Sequence, residues 1–267
     1  MASRLPSLFV SHGAPTLAID DSPARHYLER LGPALGKPSA IIVVSAHWET
    51  AVPTVGPAAE FTTIHDFSGF PRALYEVDYP AKGDPALAGR VAELLRRAGI
   101  SVEEDARRGL DHGAWVPLTL MYPDADVPVV PLSIQPGRDP AHHEAIGRAL
   151  APLREEGVLI LASGSATHNL MEFRGQSATA EPPEWVVSFA DWLHHAVEEG
   201  RSEDLLDYRA RAPHAVRNHP TDEHLLPLFA ALGAAEGQPG HRLHGSHRYG
   251  ILAMDVYGFD GDCSHLT

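Results

Sequence analysis

The residues with most chemical potential in this chain are its imidazoles. There are 17 His against 21 Lys and Arg, a density that suits metal binding or acid–base work near neutral pH. Three of them follow short apolar, strand-like runs. Leu8-Phe9-Val10 leads into Ser11-His12-Gly13-Ala14-Pro15, and residues 41–44 lead into Ser45-Ala46-His47-Trp48. Residues 158–162 lead into Ser163-Gly164-Ser165-Ala166-Thr167-His168-Asn169. His112 and His224 stand at expected helix starts, and His65 stands in a long loop. Three neutral imidazoles can hold a divalent cation and leave coordination positions open. One or two more can then take and return protons.

Such a set works only if the fold gathers it. Residues 41–44, Ile-Ile-Val-Val, are apolar and β-branched throughout, as in a strand buried on both faces of a parallel sheet. In open α/β sheets, ligands bind outside the carboxyl ends of such strands, where the following helices also start. The sequence therefore reads as one α/β domain over residues 1–267 in which strands and helices alternate. Its site is expected at the carboxyl ends of the strands.

Strands are expected near residues 8–10, 41–44, 100–102, 127–134 and 158–162, with a last one, at a sheet edge, over 248–257. Helices are expected over 23–35, 85–98, 114–121, 141–153 and 185–197, a weaker one over 204–210, and one from Pro220 to about Leu232. Asp111 can cap the helix that follows it, and Gly99 suits the position just past a helix end. Residues 51–80 are irregular and rich in Pro, Gly and Thr. The apolar anchors around Ile64-His65-Asp66-Phe67 and Gly69-Phe70-Pro71 make this an ordered loop over the strand ends rather than a linker.

Bulk properties narrow the function classes. The net charge of −14 comes with no basic cluster, which argues against nucleic acid and anionic membranes as partners. No apolar run approaches the ~20 residues of a membrane span, and Pro6 and His12 interrupt any secretory h-region. A single Cys, Cys263, makes no internal disulfide and fits a reducing, cytoplasmic setting. Oligomeric state leaves no signature.

The remaining histidines read as structural or surface groups. His26, His142, His143, His194 and His195 fall on exposed-looking helix positions; His214, His241, His244, His247 and His265 fall in polar stretches. His219 and His224, five residues apart, would point in different directions on a helix, so at most one is a ligand. No His-Glu-x-x-His, nucleophile elbow or phosphate-cradling loop competes.

Six segments in order carry a family resemblance: Ser11-His12-Gly13-Ala14-Pro15, Ser45-Ala46-His47-Trp48, Ile64-His65-Asp66-Phe67, Asp111-His112-Gly113, Thr167-His168-Asn169-Leu170 and Glu223-His224-Leu225-Leu226-Pro227-Leu228. Together they resemble the class III (LigB-like) extradiol ring-cleaving catechol dioxygenases, in particular the DOPA-type subgroup. The resemblance implies an α/β fold with a central mixed, mostly parallel sheet flanked by helices, and insertion of O2 into a catechol ring beside the diol, giving a ring-opened semialdehyde. It implies His12, His47 and His224 as metal ligands, His168 as the acid–base residue, His112 as a second active-site His, and His65 in the substrate pocket. The third ligand of the better-known branch is a Glu; here the matching position is His224, with Glu223 beside it. Three His suit Zn2+ about as well as Fe2+. Zn2+ has no accessible redox state, so Fe2+ is the expected working metal even where Zn2+ occupies the site. The substrate's side chain stays open, with Arg72, Arg107 and Arg248 as groups that could meet a carboxylate. A zinc-dependent hydrolase, or a non-enzymatic metal-binding protein of the same fold, is the alternative reading.

Overall fold

Four of the longer helices start with one recurring device, an Asp or Ser cap followed by Pro or an open first turn. Helix α1 (Pro23–Leu35) is capped by Ser22, whose hydroxyl accepts from the Arg25 amide. Beyond α2 (Arg72–Tyr75), the short helix of the long loop, α3 (Pro85–Arg97) is capped by Asp84, α4 (His112–Met121) by Asp111 and α5 (Pro140–Leu150) by Asp139. Each cap accepts a hydrogen bond from a backbone N–H that the helix leaves unpaired, and Pro occupies a position whose N–H is not needed. The second half adds α6 (Glu184–Glu198), α7 (Ser202–Leu206), α8 (Tyr208–Arg211), α9 (Ala215–Asn218) and α10 (Leu226–Ala234). The computed structural model describes residues 4–259 together with Cys263 and Leu266.

The strands are β1 (Ser7–Ser11), β2 (Ala40–Glu49), β3 (Thr54–Val55), β4 (Glu103–Glu104), β5 (Val129–Ile134), β6 (Val158–Gly164), β7 (Gly240–His244), β8 (His247–Arg248), β9 (Leu252–Ala253) and β10 (Val256–Phe259). Eight of them form one mixed sheet in the order β4-β3-β5-β2-β6-β1-β10-β7, and β8 pairs with β9 separately. The central four, β5-β2-β6-β1, are parallel, as the apolar runs imply. β10 joins β1 antiparallel, and β7 joins β10 antiparallel.

Both faces of the parallel strands are covered. Along β2, Ala40, Ile42 and Val44 pack in one core with α3, α5, α6 and α10, while Ile41 and Val43 pack in the other with α1 and α4. Successive side chains of a strand point to opposite faces, so an unbroken apolar run fills two cores at once. All nine residues of α10 are buried.

Four expectations shift. Residues 100–102 are not a strand; the pairing falls on the exposed β4 instead. The last strand is three elements: Tyr249 and Gly250 take positive φ (55° and 66°) and turn β8 into β9, and β10 follows as a separate strand. β10 then lies inside the sheet, and the edge strand is β7, which the alternation of 248–257 does not announce. The helix placed from Pro220 begins only at Leu226, because the His224 carbonyl is committed to the Ser165 amide at 2.8 Å. Finally, His143 is buried, not on the surface, and His265 lies outside the described residues.

A three-histidine centre at the strand ends

β1 ends at Ser11 and delivers His12. β2 continues past the expected stop at Val44 and carries His47 within it; its register against β5 slips between Val44 and Glu49, which re-aims that stretch. His168 follows four residues beyond β6, and His112 opens α4. His224 sits just before α10 with its carbonyl tied to Ser165. That approach requires Gly164: a Cβ there would lie 2.1 Å from the His224 oxygen. Gly113 is equally constrained, since a Cβ would meet Ser45 Oγ at 2.5 Å and His47 Cδ2 at 3.0 Å.

His12, His47 and His224 converge. His47 Nε2 lies 3.1 Å from His12 Nε2 and 3.2 Å from His224 Nε2. Their protonation follows from the network. His12 Nδ1 is 3.0 Å from Ser163 Oγ, and that hydroxyl donates its one proton to the Gly113 carbonyl at 2.5 Å. Ser163 Oγ therefore accepts from His12 Nδ1–H, which leaves a lone pair on Nε2. His224 Nδ1–H donates to Glu223 Oε1 at 2.9 Å, with the same result. His47 can carry at most one proton on Nε2, so at least one of these two close contacts sets lone pair against lone pair. A cation accepting all three nitrogens removes the conflict, and this donor set, neutral imidazoles with carboxylate and hydroxyl support, is what a divalent metal takes.

Electrostatics hold the trio neutral. Burial, then the neighbouring imidazoles, push His12 and His224 well below the usual imidazole range. Burial and His112 take His47 down to about 3 against the pull of Asp66 and Glu223. Burial takes His168 down to about 4, opposed by Glu223. For Asp66 burial would raise the carboxyl, but hydrogen bonds and charge from His112 outweigh it and hold it at about 2.

Two more imidazoles flank the trio. The His112 ring lies 3.9 Å from that of His47, and its Nδ1–H donates to Asp66 Oδ1 at 2.9 Å. The His168 ring stacks on His224 at 3.4 Å, with Nδ1 3.9 Å from Glu223 Oε1. His47, Asp66, His112, His168 and His224 form the polar wall of a cavity of about 440 Å3. His65 is not part of that wall. Its Nε2 bonds the Val77 carbonyl at 3.0 Å, and its ring packs beside Phe67, Tyr75 and Trp115. The long loop contributes its neighbours Asp66, Phe67 and Phe70 instead.

Sequence reasoning gave no role to Asp66 or Ser163 and read Asp111 only as a helix cap, although each lies within or beside a quoted segment. Asp111 both caps α4 and accepts from Ser45 at 2.6 Å and Arg108 at 2.6 Å, and Arg108 also bonds the His47 carbonyl. The available signal was position: each is an acid or hydroxyl next to, or one strand over from, a strand-end His. Of the histidines set aside, His219 is fully buried and its Nε2 bonds the Ala166 carbonyl, apart from the trio. His244 is half-buried and stacked on Tyr27 at 4.9 Å.

The fold and this centre are those that the resemblance to the extradiol ring-cleaving dioxygenases leads one to expect. The chain belongs to the family described as the catalytic LigB subunit of aromatic ring-opening dioxygenase, whose model matches residues 6–259. Among its relatives, the 4,5-DOPA dioxygenase extradiol of Beta vulgaris is 46% identical over 258 residues, covering 95% of this chain and 96% of that one. The 4,5-DOPA dioxygenase extradiol of Escherichia coli K12 is 41% identical over 245 residues, covering 89% and 88%. A crystal structure of an uncharacterized protein from Escherichia coli K12 superposes with a TM-score of 0.79 at 35% identity, covering 96% of this chain and 100% of that one. No helix among the described residues is long and apolar enough to cross a membrane.

Proposed function

We propose that this enzyme cleaves a para-substituted catechol beside its diol, inserting both atoms of O2 to give a ring-opened semialdehyde. His12, His47 and His224 hold the metal, Fe2+ as the working ion. The observation that carries the reading is the set of three Nε2 atoms at 3.1–3.2 Å with too few protons to satisfy one another. Bound there, Fe2+ supplies Lewis acidity toward the diol oxygens and the redox capacity that O2 chemistry needs and Zn2+ lacks.

The chain's own residues do the rest. His168 is held neutral by burial, so a ring nitrogen takes a proton from a diol hydroxyl as the substrate enters. Glu223, bonded to His224 and facing His168, fixes the angle between ligand and base. Asp66 accepts from Nδ1–H of His112, which leaves a lone pair on Nε2 to accept from the substrate, and the proton taken up by His168 is returned as the ring opens. The apolar side of the cavity excludes water from the opening ring.

The test is oxygen uptake by protein loaded anaerobically with Fe2+, run against a panel of catechols. One O2 consumed per catechol, a yellow product and 18O in both new positions are expected. No uptake with any catechol, or hydrolysis without uptake, overturns the reading.

A further inference from the structure

The wall opposite the imidazoles is apolar and open. Phe67, Phe70, Leu170, Phe173, Tyr249 and Ile251 line it. At its rim, Leu170, Met171 and Phe173 are 59%, 75% and 46% exposed, and they account for half of the six exposed large hydrophobics among the described residues. Concentration of such side chains in one four-residue stretch beside a cavity marks a binding surface rather than scatter. The cavity, about 440 Å3, lies within the range of roughly 300–1,000 Å3 that drug-sized ligands fill. A lone catechol ring leaves much of it empty.

What the wall lacks is charge. Among the described residues no Arg or Lys lines the cavity, and the only formal charge there is Asp66, in the imidazole wall. That carboxylate is engaged: Oδ1 accepts from both the amide and the ring of His112, and Oδ2 faces His47 Nδ1 at 3.5 Å. The three arginines read as carboxylate partners are all committed elsewhere. Arg248 is held by Asp20 at 2.5 Å, Arg72 by Glu76 at 2.8 Å, and Arg107 lies 3.7 Å from Asp105 on the surface. An α-amino-acid side chain entering here would desolvate an ammonium and a carboxylate against aromatic rings with no counter-ion. With the diol at the imidazoles, a para substituent points away from them, toward this rim.

We infer that the substrate class is a catechol whose para substituent is apolar and uncharged, an aryl or branched alkyl group seated on the Phe70–Leu170–Phe173 rim, rather than one bearing a zwitterionic side chain. The inference rests on the catechol reading above. It places specificity in the apolar rim and chemistry in the imidazole wall.

Anaerobic calorimetry on the Fe2+-loaded protein gives binding without turnover, and the oxygen electrode gives kcat/KM. The probes are 4-phenylcatechol, 4-tert-butylcatechol, catechol and DOPA. The 4-phenyl and 4-tert-butyl compounds are expected to bind about ten-fold or more tighter than DOPA and to exceed it in kcat/KM by a similar factor. Phe173→Ser should lower kcat/KM for 4-phenylcatechol several-fold more than for catechol. DOPA binding as tightly as 4-phenylcatechol, or Phe173→Ser changing both catechols equally, overturns this inference and leaves the ring-cleavage reading standing. Absence of oxygen uptake across the whole panel overturns the ring-cleavage reading itself.

Discussion

His143 and His47 are both largely shielded, both held neutral, and both sit against the central strands, yet they do opposite things. His143 is closed on itself: Nδ1–H donates to the Asp139 carbonyl at 3.0 Å, and Nε2 accepts from the Gln135 amide at 3.1 Å. His47 is open. Its Nε2 faces two other nitrogens, and its Nδ1 faces a carboxylate oxygen at 3.5 Å. Burial depresses both, to about 4 and about 3 respectively. Burial and protonation state therefore do not separate a structural histidine from a functional one; completion of its hydrogen bonds does. A ring with both nitrogens answered by backbone is a brace, and rings whose nitrogens answer only one another need a cation.

The largest effects should come from breaking the open set. His47→Ala is expected to abolish stoichiometric metal binding, a loss well beyond the ~10–100-fold that removing a supporting hydrogen bond costs. Metal analysis after gel filtration checks it, and retained metal would move His47 out of the trio. His168→Ala should keep its metal while kcat falls about 10²–10⁴-fold, the size of a lost proton transfer. If the metal leaves with it, His168 is a ligand rather than a base.

Acid acts on both kinds of histidine at once. His143 and His219 are each lowered from 6.5 to about 4, chiefly by burial. The folded protein resists protonation that the unfolded chain accepts. Their contribution is therefore complete above pH 6.5 and lost as pH falls from there toward 4. The shifts correspond to about 3 kcal/mol per group at full loss. Urea unfolding of metal-free protein at pH 7 and pH 5 should show the midpoint dropping; a flat profile would mean that these rings are solvated.

His143→Ala tests the closed ring alone. It strands a buried amide at Gln135 and a carbonyl at Asp139, which costs about 1–3 kcal/mol. Metal content and kcat/KM should stay at the native level.

The same contrast explains what could be read from sequence. His12 was legible because Leu8-Phe9-Val10 before it can only be a strand buried on both faces, and strand ends share an edge. His47 was legible for that reason too, although the strand runs on to Glu49. His143 was misread because its neighbours on α5 are polar. What buries it is the Gln135 backbone after β5, a partner eight residues away that helical periodicity does not see. His65 was placed in the pocket by resemblance, but Asp66 lines the cavity in its stead, since adjacent loop residues point in different directions and Val77 holds the imidazole. At His224 local signals favoured an earlier helix start, and a tertiary bond to Ser165 prevailed. Closure by backbone is a long-range property, and the sequence carries it only where strand order is already known.

Glu223→Gln should give the smallest effect and the finest test. The Gln amide oxygen still accepts from His224 Nδ1–H, so ring orientation survives while the negative charge beside ligand and base is removed. Glu223→Ala removes both. Metal affinity measured by chelator competition should fall about ten-fold for Gln and further for Ala, within the range for lost outer-shell support. If the two variants weaken affinity equally, charge accounts for the whole contribution and the hydrogen bond at 2.9 Å adds nothing. If neither changes it, Ser163 alone fixes a tautomer in the trio, and His224 belongs with His143 among the braces.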